Sequence, residues 1–383
     1  MSATAPVAIA PGSRSRVLIV DDSAIVRKML ADALRGAADM EVVGGAPDPF
    51  VARDMILQHK PDVITLDLEM PRMDGLTFLR RLMEHHPLPV IIISSLTQSG
   101  SRLTIEALQA GAVDVIPKPG GPYSVGQVTD KLIACIRGLR RGVTVRPAPV
   151  ASATSASVEP VGGVGTSTNG YANGFIGIGA STGGTQAIEG LLTRMPADCP
   201  PIAIVQHMPA DFTKAFANRL NEFCPMTVVE ATQGEVMKRG VAYVAPGDSH
   251  MQVAVQGLRC RVHLAQTAPV QHQRPAVDVL FHSMTRIRHR QVVAVLLTGM
   301  GADGADGMVA LRRAGAETIA EDERSCVVFG MPKEAIARGG AAHVATLLRI
   351  PALIFECFER LARRSPSGPP VSMNQTDAVL RAR

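Results

Sequence analysis

The sequence predicts two α/β domains, each built on a doubly wound parallel sheet and joined by a flexible linker. Short runs of Val, Ile and Leu alternate with stretches of helical periodicity over residues 16–140 and again over residues 174–364, which is typical of βαβ units. Residues 141–173 between them are rich in Pro, Ser, Thr and Gly, so this segment cannot bury enough apolar surface to fold. The length of 383 residues also suits two cores better than one.

The composition and the two chain ends indicate a folded protein of the cytoplasm. The apolar fraction is 46%, which is enough for packed interiors. Residues 1–15 and 365–383 are short tails of small and polar residues, which we expect to be disordered. The start of the chain lacks the charged segment and apolar run of a signal peptide, and no apolar run is long enough to cross a membrane. We therefore expect a cytoplasmic location and no membrane-embedded part.

Cysteine spacing and charge disfavour several classes of protein. The six cysteines form no Cys-x-x-Cys pair, so we expect reduced thiols and neither a disulfide framework nor a zinc site. Lys plus Arg exceeds Asp plus Glu by 39 − 34 = 5, and no helix-turn-helix with a basic recognition helix follows the linker. We therefore expect no nucleic-acid partner.

Carboxylates follow two of the strands predicted in the first half of the chain. Those strands are Val17–Val20, Glu41–Gly44, Val63–Leu66, Val90–Ile93 and Val113–Ile116. Asp21 and Asp22 come directly after the first strand, and Asp67 comes after the third. The carboxyl ends of parallel strands meet at one edge of the sheet, so the three carboxylates should converge there. Such a cluster is costly without a cation, and its hard oxygen ligands suit Mg²⁺.

A hydroxyl and an amine join the same edge. Ser94 ends the fourth strand, and Lys118 follows the fifth. An Asp carboxylate near Mg²⁺ and Lys is placed to attack a phosphoryl group and to hold the resulting charge. Asp21 and Asp22 taken alone could instead cap the next helix, because Asp is a preferred N-cap residue. The other three residues, each at a different strand end, disfavour that alternative.

The first half of the chain resembles the receiver domain of two-component response regulators, which has a flavodoxin-like fold. The matching segments are Val-Asp-Asp-Ser (20–23), Leu-Asp-Leu-Glu-Met-Pro-Arg-Met-Asp-Gly (66–75), Ser-Ser (94–95) and Lys-Pro (118–119). The resemblance implies that Asp67 accepts phosphate from a partner histidine kinase. It also implies that Asp22 and Asp67, assisted by Asp21, bind Mg²⁺. Ser94 and Lys118 would contact the phosphoryl oxygens. Many receivers carry an aromatic switch residue where this chain has Val115, so the usual aromatic relay is not expected.

The second half of the chain contains a candidate nucleophile. Its predicted strands are Phe175–Ile178, Ile202–Gln206, Val241–Ala245, Val292–Leu297 and Thr318–Ala320, with an inserted hairpin of Gln252–Val255 and Arg259–Leu264. After the first strand, Gly179-x-Ser181-x-Gly183 has the form of a nucleophile elbow, in which small residues permit a tight strand-to-helix turn. The same glycine-rich turn also fits a phosphate-binding loop, so the pattern needs partners.

His207 and Asp303 supply those partners. His207 follows the strand Ile202–Gln206, and Asp303 lies in the segment 298–304 after Val292–Leu297. A nucleophile, a base and an orienting acid at three strand ends of one sheet make a Ser-His-Asp arrangement. The chain order Ser-His-Asp differs from the Ser-Asp-His order of α/β-hydrolases, which indicates a separate lineage. His250 follows the strand Val241–Ala245 and is the alternative base; we favour His207 as the base and assign His250 to the substrate cleft.

The chain resembles the chemotaxis protein-glutamate methylesterase family over about residues 16–140 and 174–350. Besides the features above, the resemblance includes Arg-Pro-Ala-Val-Asp-Val-Leu-Phe (274–281) and Ser-Cys-Val-Val-Phe-Gly-Met-Pro-Lys-Glu-Ala (325–335). It implies a Rossmann-like α/β/α catalytic domain with Ser181 as nucleophile, His207 as general base and Asp303 as its orienter. It further implies that Thr182 and Met300 line the active site, with the Met300 N–H as an oxyanion donor.

The same resemblance implies the activity. The expected reaction is hydrolysis of glutamate γ-methyl esters on methyl-accepting chemoreceptors, together with deamidation of glutamines, under the control of receiver phosphorylation. The expected partners are a chemotaxis histidine kinase and the chemoreceptors, and no cofactor is expected for the esterase. A response regulator with a nucleotide-binding output domain is the alternative, but it leaves His207 and Asp303 unexplained.

Overall fold

The computed structural model describes residues 13–95, 98–118, 125–139, 171, 173–287 and 290–364. Within these residues the chain forms one five-stranded sheet, one seven-stranded sheet and a separate two-stranded sheet. All strand pairs of the two larger sheets are parallel. The predicted fold class, two α/β domains with parallel sheets, is confirmed. No helix in the described part of the chain is long and apolar enough to span a membrane.

The five-stranded sheet has the strand order β2-β1-β3-β4-β5. Its strands are β1 (Ser15–Val20), β2 (Met40–Ala46), β3 (Val63–Asp67), β4 (Val90–Ser94) and β5 (Asp114–Pro117). The helices between and after them are α1 (Ala24–Arg35), α2 (Pro49–His59), α3 (Gly75–His85), α4 (Gln98–Gln109) and α5 (Val125–Leu139). Every residue of β3 and β4 is buried, as expected for strands covered by helices on both faces. The strand order reverses beside β1, which places a crevice between the ends of β1 and β3.

The seven-stranded sheet has the strand order β14-β13-β12-β6-β7-β9-β8. Its strands are β6 (Gly174–Ala180), β7 (Ile202–Gln206), β8 (Thr227–Glu230), β9 (Val241–Val244), β12 (Gln291–Leu296), β13 (Glu317–Glu321) and β14 (His343–Ala345). The helices are α6 (Gly184–Leu192), α7 (Ala210–Phe223), α8 (Val277–Met284), α9 (Ala305–Arg313), α10 (Met331–Ala337) and α11 (Ile350–Arg364). The first strand, β6, lies in the middle, with β7 on one side and β12 on the other, so the active-site crevice is expected at the carboxyl ends of these three strands.

Two features of the second sheet differ from the expectation. The predicted hairpin is present as β10 (His250–Gln256) and β11 (Arg259–Ala265), but its strands pair only with each other and do not join the larger sheet. The edge strands β8 and β14 were not predicted. They have only four and three residues, so their side-chain patterns are too short to distinguish them from loops.

The predicted linker and tails fall largely outside the described residues. Tyr171 and Asn173 of the predicted linker are described, and Tyr171 is 6% exposed. Its ring packs on Phe355 of α11 with the ring centroids 5.1 Å apart and on Phe358 at 6.5 Å. The second domain therefore includes an aromatic residue from the end of the linker. Ser15, which was predicted as the last residue of the disordered tail, is instead buried and begins β1. The other domain boundaries stay predictions.

Close packing around β6 predicts opposite effects for two glycine substitutions. A methyl group at Gly179 would lie 2.3 Å from Val277 Cγ1, so we expect Gly179→Ala to lower the free energy of unfolding by about 1–3 kcal/mol. At Gly190, inside α6, the nearest atom would be 3.6 Å away. There alanine should raise the free energy of unfolding by about 0.5–1 kcal/mol, because glycine is a poor helix former. Chemical denaturation of both variants tests the packing, and a Gly179→Ala chain as stable as the wild type would contradict it.

Candidate active site and phosphoacceptor site

The predicted carboxylates of the first domain come together at one edge of its sheet. Asp21 and Asp67 are each 1% exposed, whereas Asp22 is exposed to solvent. Carboxylate oxygens of all three lie within 4.8 Å of one another. The convergence follows from their positions just after β1 and at the end of β3, which are neighbouring parallel strands.

Lys118 is the cation at this cluster. Its Nζ lies 2.6 Å from Asp67 Oδ2 and 3.3 Å from Asp21 Oδ2. Burial raises the pKa of Asp21 and Asp67 above the usual value, although Lys118 opposes the shift. Burial lowers the pKa of Lys118, but the hydrogen bond and charge of Asp67 together with the charge of Asp21 raise it overall. One amine thus faces a cluster that carries more negative charge than it can neutralise.

This cluster fits a magnesium ion. The donor set consists of hard carboxylate oxygens, which Mg²⁺ prefers. Asp21 Oδ1 already accepts a hydrogen bond from the Ser23 N–H at 2.8 Å, whereas the buried Oδ2 faces Lys118 Nζ at 3.3 Å, an amine that lies closer to Asp67. Buried acceptors need a cation or a donor, and here two buried carboxylates share one amine. The exposed carboxylate of Asp22 leaves one side of the cluster open to solvent.

Ser94 lies at the neighbouring strand end, as predicted, and it is 1% exposed. Its Oγ accepts a hydrogen bond from Thr104 Oγ1 at 3.0 Å and donates to the Ser95 carbonyl at 3.3 Å. Thr104 belongs to α4 and was not identified from the sequence, because nothing in a helix interior marks a threonine that will face a strand end. Val115, at the usual aromatic switch position, is a buried residue of β5.

The predicted nucleophile Ser181 follows β6 at a tight turn into α6. The Ser181 N–H donates to the Thr298 carbonyl at 3.0 Å, and the Gly184 N–H donates to the Ser181 carbonyl at 2.7 Å. Gly183 has a φ of +77°, a left-handed conformation that favours glycine. A methyl group at this position would also lie 2.5 Å from Val327 Cβ. The turn is therefore restricted to the small residues that an elbow requires.

His207 and Asp303 form a buried hydrogen-bonded pair. His207 Nε2 lies 2.7 Å from Asp303 Oδ2, and the two residues are 7% and 2% exposed. The first two N–H groups of α8 hold the carboxylate: Val277 N–H donates to Oδ2 at 2.6 Å and Asp278 N–H to Oδ1 at 2.9 Å. Burial raises the pKa of Asp303, but the hydrogen bond and charge of His207 and these backbone donors more than offset it. The pKa is therefore lowered overall, and the carboxylate is ionised at neutral pH.

The second ring nitrogen of His207 is the one that Asp303 does not bind. His207 Nδ1 is buried and has no hydrogen-bond partner among the described residues. Ser181 and His207 line the same cavity. In the familiar serine protease triad the acid binds Nδ1 and the serine faces Nε2. Here the acid binds Nε2, so the two ring nitrogens have exchanged places.

The predicted lining residues lie beside the predicted nucleophile and against the first domain. Thr182 Oγ1 donates to Asp114 Oδ2 of β5 at 2.7 Å. Met300 is half-buried and packs against the apolar cluster that contains Leu132 and Ile136 of α5. Both residues therefore lie where the two domains meet.

A hydrogen-bonded threonine that the sequence did not reveal connects the loops of this site. Thr298 Oγ1 donates to the Thr182 carbonyl at 2.9 Å and accepts from the Val328 N–H at 2.9 Å. The Thr298 N–H donates to Glu321 Oε2 at 2.8 Å. Glu321 ends β13 and is fully buried. The position of its carboxylate at the end of a buried strand is the sequence signal that could have identified Glu321.

The structure does not support the assignment of His250 to the substrate cleft. His250 is 0% exposed. Its Nδ1 accepts from the Ala276 N–H at 3.2 Å, and its Nε2 lies 3.1 Å from the Ala268 carbonyl. Both ring nitrogens therefore bind backbone. Because Ala276 precedes α8, His250 supports the helix start that holds Asp303.

The first domain covers the cavity that contains Ser181 and His207. The Gly183 N–H donates to the Val113 carbonyl at 3.2 Å, and Gln186 Nε2 of α6 donates to the Leu108 carbonyl at 2.6 Å. The cavity is lined from both domains and has a free volume of about 10 Å³. This is roughly the space of one water molecule, so an ester side chain does not fit in this arrangement.

A second group of potential metal ligands lies at the opposite edge of the larger sheet. It comprises Glu317, His343 and Cys357. Glu317 Oε2 lies 2.7 Å from His343 Nε2, and Glu317 Oε1 lies 2.8 Å from Arg364 Nη1. Arg360 Nη1 is also 2.8 Å from His343 Nε2. These contacts form a charged network that joins α11 to the sheet edge.

The fold and the two sites define a receiver domain joined to a serine-hydrolase-like output domain. The family model for the response regulator receiver domain matches residues 17–128, and the model for CheB methylesterase matches residues 176–354. The protein-glutamate methylesterase/protein-glutamine glutaminase 2 of Syntrophus aciditrophicus (strain SB) is 51% identical over 338 residues, which cover 88% of this chain and 96% of that protein. This chain belongs to the protein-glutamate methylesterase/protein-glutamine glutaminase family.

Two further similarities come from other organisms. The protein-glutamate methylesterase/protein-glutamine glutaminase of Salmonella typhi is 46% identical over 340 residues, which cover 88% of this chain and 95% of that protein. The chain is also similar to the crystal structure of the Thermotoga maritima CheB methylesterase catalytic domain. The two sequences are 39% identical, and the match covers 48% of this chain and 97% of that chain, with a TM-score of 0.46.

The raised pKa of Asp21 predicts a pH-dependent gain of stability on neutralisation. Because its folded pKa lies above the unfolded value, the wild type loses stability as pH rises through the interval between them. We expect Asp21→Asn to raise the urea midpoint of the chain near neutral pH without divalent cations. The gain should vanish at about pH 3, where the carboxyl is protonated in both states. Asp22→Asn, at an exposed carboxylate, should change the midpoint less. A lower midpoint for Asp21→Asn at neutral pH would be the wrong sign.

Proposed function

We propose that this chain hydrolyses glutamate γ-methyl esters and deamidates glutamines on methyl-accepting chemoreceptors in bacterial chemotaxis. Phosphorylation of its receiver domain controls this activity. The observation that carries the proposal is the buried His207–Asp303 pair at 2.7 Å, whose free ring nitrogen shares a cavity with Ser181. The relatives named above carry both activities in their names.

The proposed chemistry is a two-step acyl transfer. His207 Nδ1 takes the proton of Ser181 as Oγ attacks the ester carbonyl, and Asp303 stabilises the imidazolium that forms. The same proton then passes to the departing methoxide, which leaves as methanol. Water activated by His207 cleaves the acyl-enzyme and restores the serine. With a glutamine side chain the leaving group is ammonia, and the product glutamate is the same.

Backbone N–H groups would stabilise the negative charge that develops on the carbonyl oxygen. We assign this role to Met300 N–H, with Thr182 beside the nucleophile lining the site. The Gly299 N–H is already bonded to the Val328 carbonyl, which fixes the turn that presents Met300. Preorganised donors of this kind stabilise the charge without having to reorient during the reaction.

The receiver site would accept the phosphoryl group from a chemotaxis histidine kinase at Asp67. Asp22 and Asp67, assisted by Asp21, would hold Mg²⁺, which supplies positive charge to the phosphoryl oxygens when it is bound. Lys118 Nζ, 2.6 Å from Asp67 Oδ2, is placed to contact a phosphoryl oxygen. Ser94 would contact another. We also propose a cytoplasmic location, where the kinase and the receptor methylation sites are accessible.

Control would operate through the contact between the domains. In the unphosphorylated arrangement Val113 and Asp114 bond the residues that follow Ser181, and the cavity is too small for substrate. Phosphorylation of Asp67 would weaken this contact and admit the receptor side chain. Phosphorylation changes the charge at the carboxyl end of β3, and the position of α4 and β5 changes in response.

Substitution of Ser181 tests the proposed activity. Ser181→Ala should reduce methanol release from methylated receptor by roughly 10³-fold or more, because the nucleophile is lost. Transfer of phosphate from the kinase to Asp67 should continue at the wild-type rate, since the receiver site is untouched.

Asp67→Asn is the matched control. It should abolish stable phosphorylation and keep the unstimulated methanol release of the wild type. Methanol release from Ser181→Ala near the wild-type rate would refute the assignment of the nucleophile.

A further inference from the structure

A pair of buried hydroxyls links the phosphoacceptor edge of the receiver to α4. Thr104 is 0% exposed and Ser94 is 1% exposed. Thr104 Oγ1 donates to Ser94 Oγ at 3.0 Å, and Ser94 donates in turn to the Ser95 carbonyl at 3.3 Å. The hydroxyl proposed to contact the phosphoryl group is thus occupied elsewhere in the unphosphorylated chain.

The helix that carries Thr104 also closes the catalytic cavity. Thr104 and Leu108 line the cavity together with Ser181 and His207. The Leu108 carbonyl accepts a hydrogen bond from Gln186 Nε2 at 2.6 Å, and α4 packs against α7 of the catalytic domain. Residues four apart lie on the same face of a helix, so one face of α4 meets both Ser94 and the catalytic domain.

We infer that Thr104 is a positioning residue that couples phosphorylation of Asp67 to the opening of the catalytic cavity. It holds the Ser94 hydroxyl in the unphosphorylated orientation. This inference rests on the proposed function and adds a specific coupling residue to it.

The coupling follows from the limited hydrogen-bonding capacity of Ser94. A serine hydroxyl donates one hydrogen bond, so Ser94 releases the Ser95 carbonyl when it donates to a phosphoryl oxygen. Rotation of Oγ toward Asp67 also removes the acceptor of Thr104. A buried hydroxyl without a partner is unfavourable, so the loss of this bond disfavours the present position of α4 relative to a shifted one. The shift moves Leu108 away from Gln186 and weakens the contact that closes the cavity over Ser181.

Residue 115 supplies no aromatic ring that could transmit the change. Receivers with an aromatic residue there can transmit the change by rotation of a large ring. Val115 is short, β-branched and buried, so its side chain has little rotational freedom. Among the described residues, Thr104 is the one that bonds Ser94 through its side chain and lines the cavity as well.

Thr104→Val tests the inference because it keeps the shape of the side chain and removes the hydroxyl. The hydrogen bond exists only in the unphosphorylated arrangement, so its loss should shift the population toward the open form. We expect the affinity for beryllofluoride, a phosphoryl mimic, to rise roughly fivefold, the usual effect of one buried hydrogen bond. Unstimulated esterase activity should rise by a similar factor, and activity at saturating beryllofluoride should stay at the wild-type level. Fluorine NMR of the full chain measures the affinity, and methanol release measures the activity.

Two variants separate coupling from a loss of stability. Thr65→Val makes the same chemical change at a buried hydroxyl that has no hydrogen-bond partner in the described part of the chain, and it should leave both quantities unchanged. Thr104→Ser retains the hydroxyl and should behave as the wild type.

The outcomes distinguish the coupling from the proposed function. Thr104→Val with wild-type or reduced affinity for beryllofluoride would overturn the coupling. A wild-type chain that binds beryllofluoride and gains no esterase activity would contradict the proposed function, while the relative affinities of the variants would still decide the role of Thr104.

Discussion

The hydrogen bond between His207 and the buried carboxylate of Asp303 is the interaction on which the catalytic half depends. An ionised carboxylate in a buried site requires several donors, and the start of α8 supplies two of them. That start is itself held by His250 through the N–H of Ala276, so the hairpin strand β10 also supports the site. The start of α8 and strand β10 therefore both stabilise one ionised group.

The receiver domain exploits the same crevice geometry for a different purpose. Its carboxylates meet at the ends of β1 and β3, where charge can be added reversibly. The α4–β5 segment connects the two crevices, because Val113 and Asp114 bond directly to the elbow that follows Ser181, and we propose that the change passes through it. Both domains therefore place polar groups at the carboxyl ends of their strands, and a short segment of chain separates the two sites. No longer path is needed to connect the phosphoacceptor site with the catalytic site.

The sequence was sufficient to predict the features that parallel-sheet geometry determines. Strand ends of one sheet must converge, so Asp21, Asp67 and Lys118 could be brought together without coordinates, and so could His207 and Asp303. The same rule does not say which way a side chain turns once it leaves the strand, and for that reason His250 was misassigned. Contacts between domains could not be predicted from the sequence either, since neither Gln186 nor the Val113 carbonyl carries any local pattern. These features depend on how two independently folded surfaces meet.

We propose that the receiver closes the catalytic cavity over a competent nucleophile. The decisive measurement is the rate at which a small fluorophosphonate labels Ser181 in the full chain and in a chain that begins at Tyr171. We expect labelling to be at least about tenfold faster without the receiver, which corresponds to a preference for the closed form of about 1.4 kcal/mol. Ser181→Ala in either chain should remain unlabelled. Equal labelling rates in the two chains would contradict closure and would point instead to direct activation by the phosphorylated receiver.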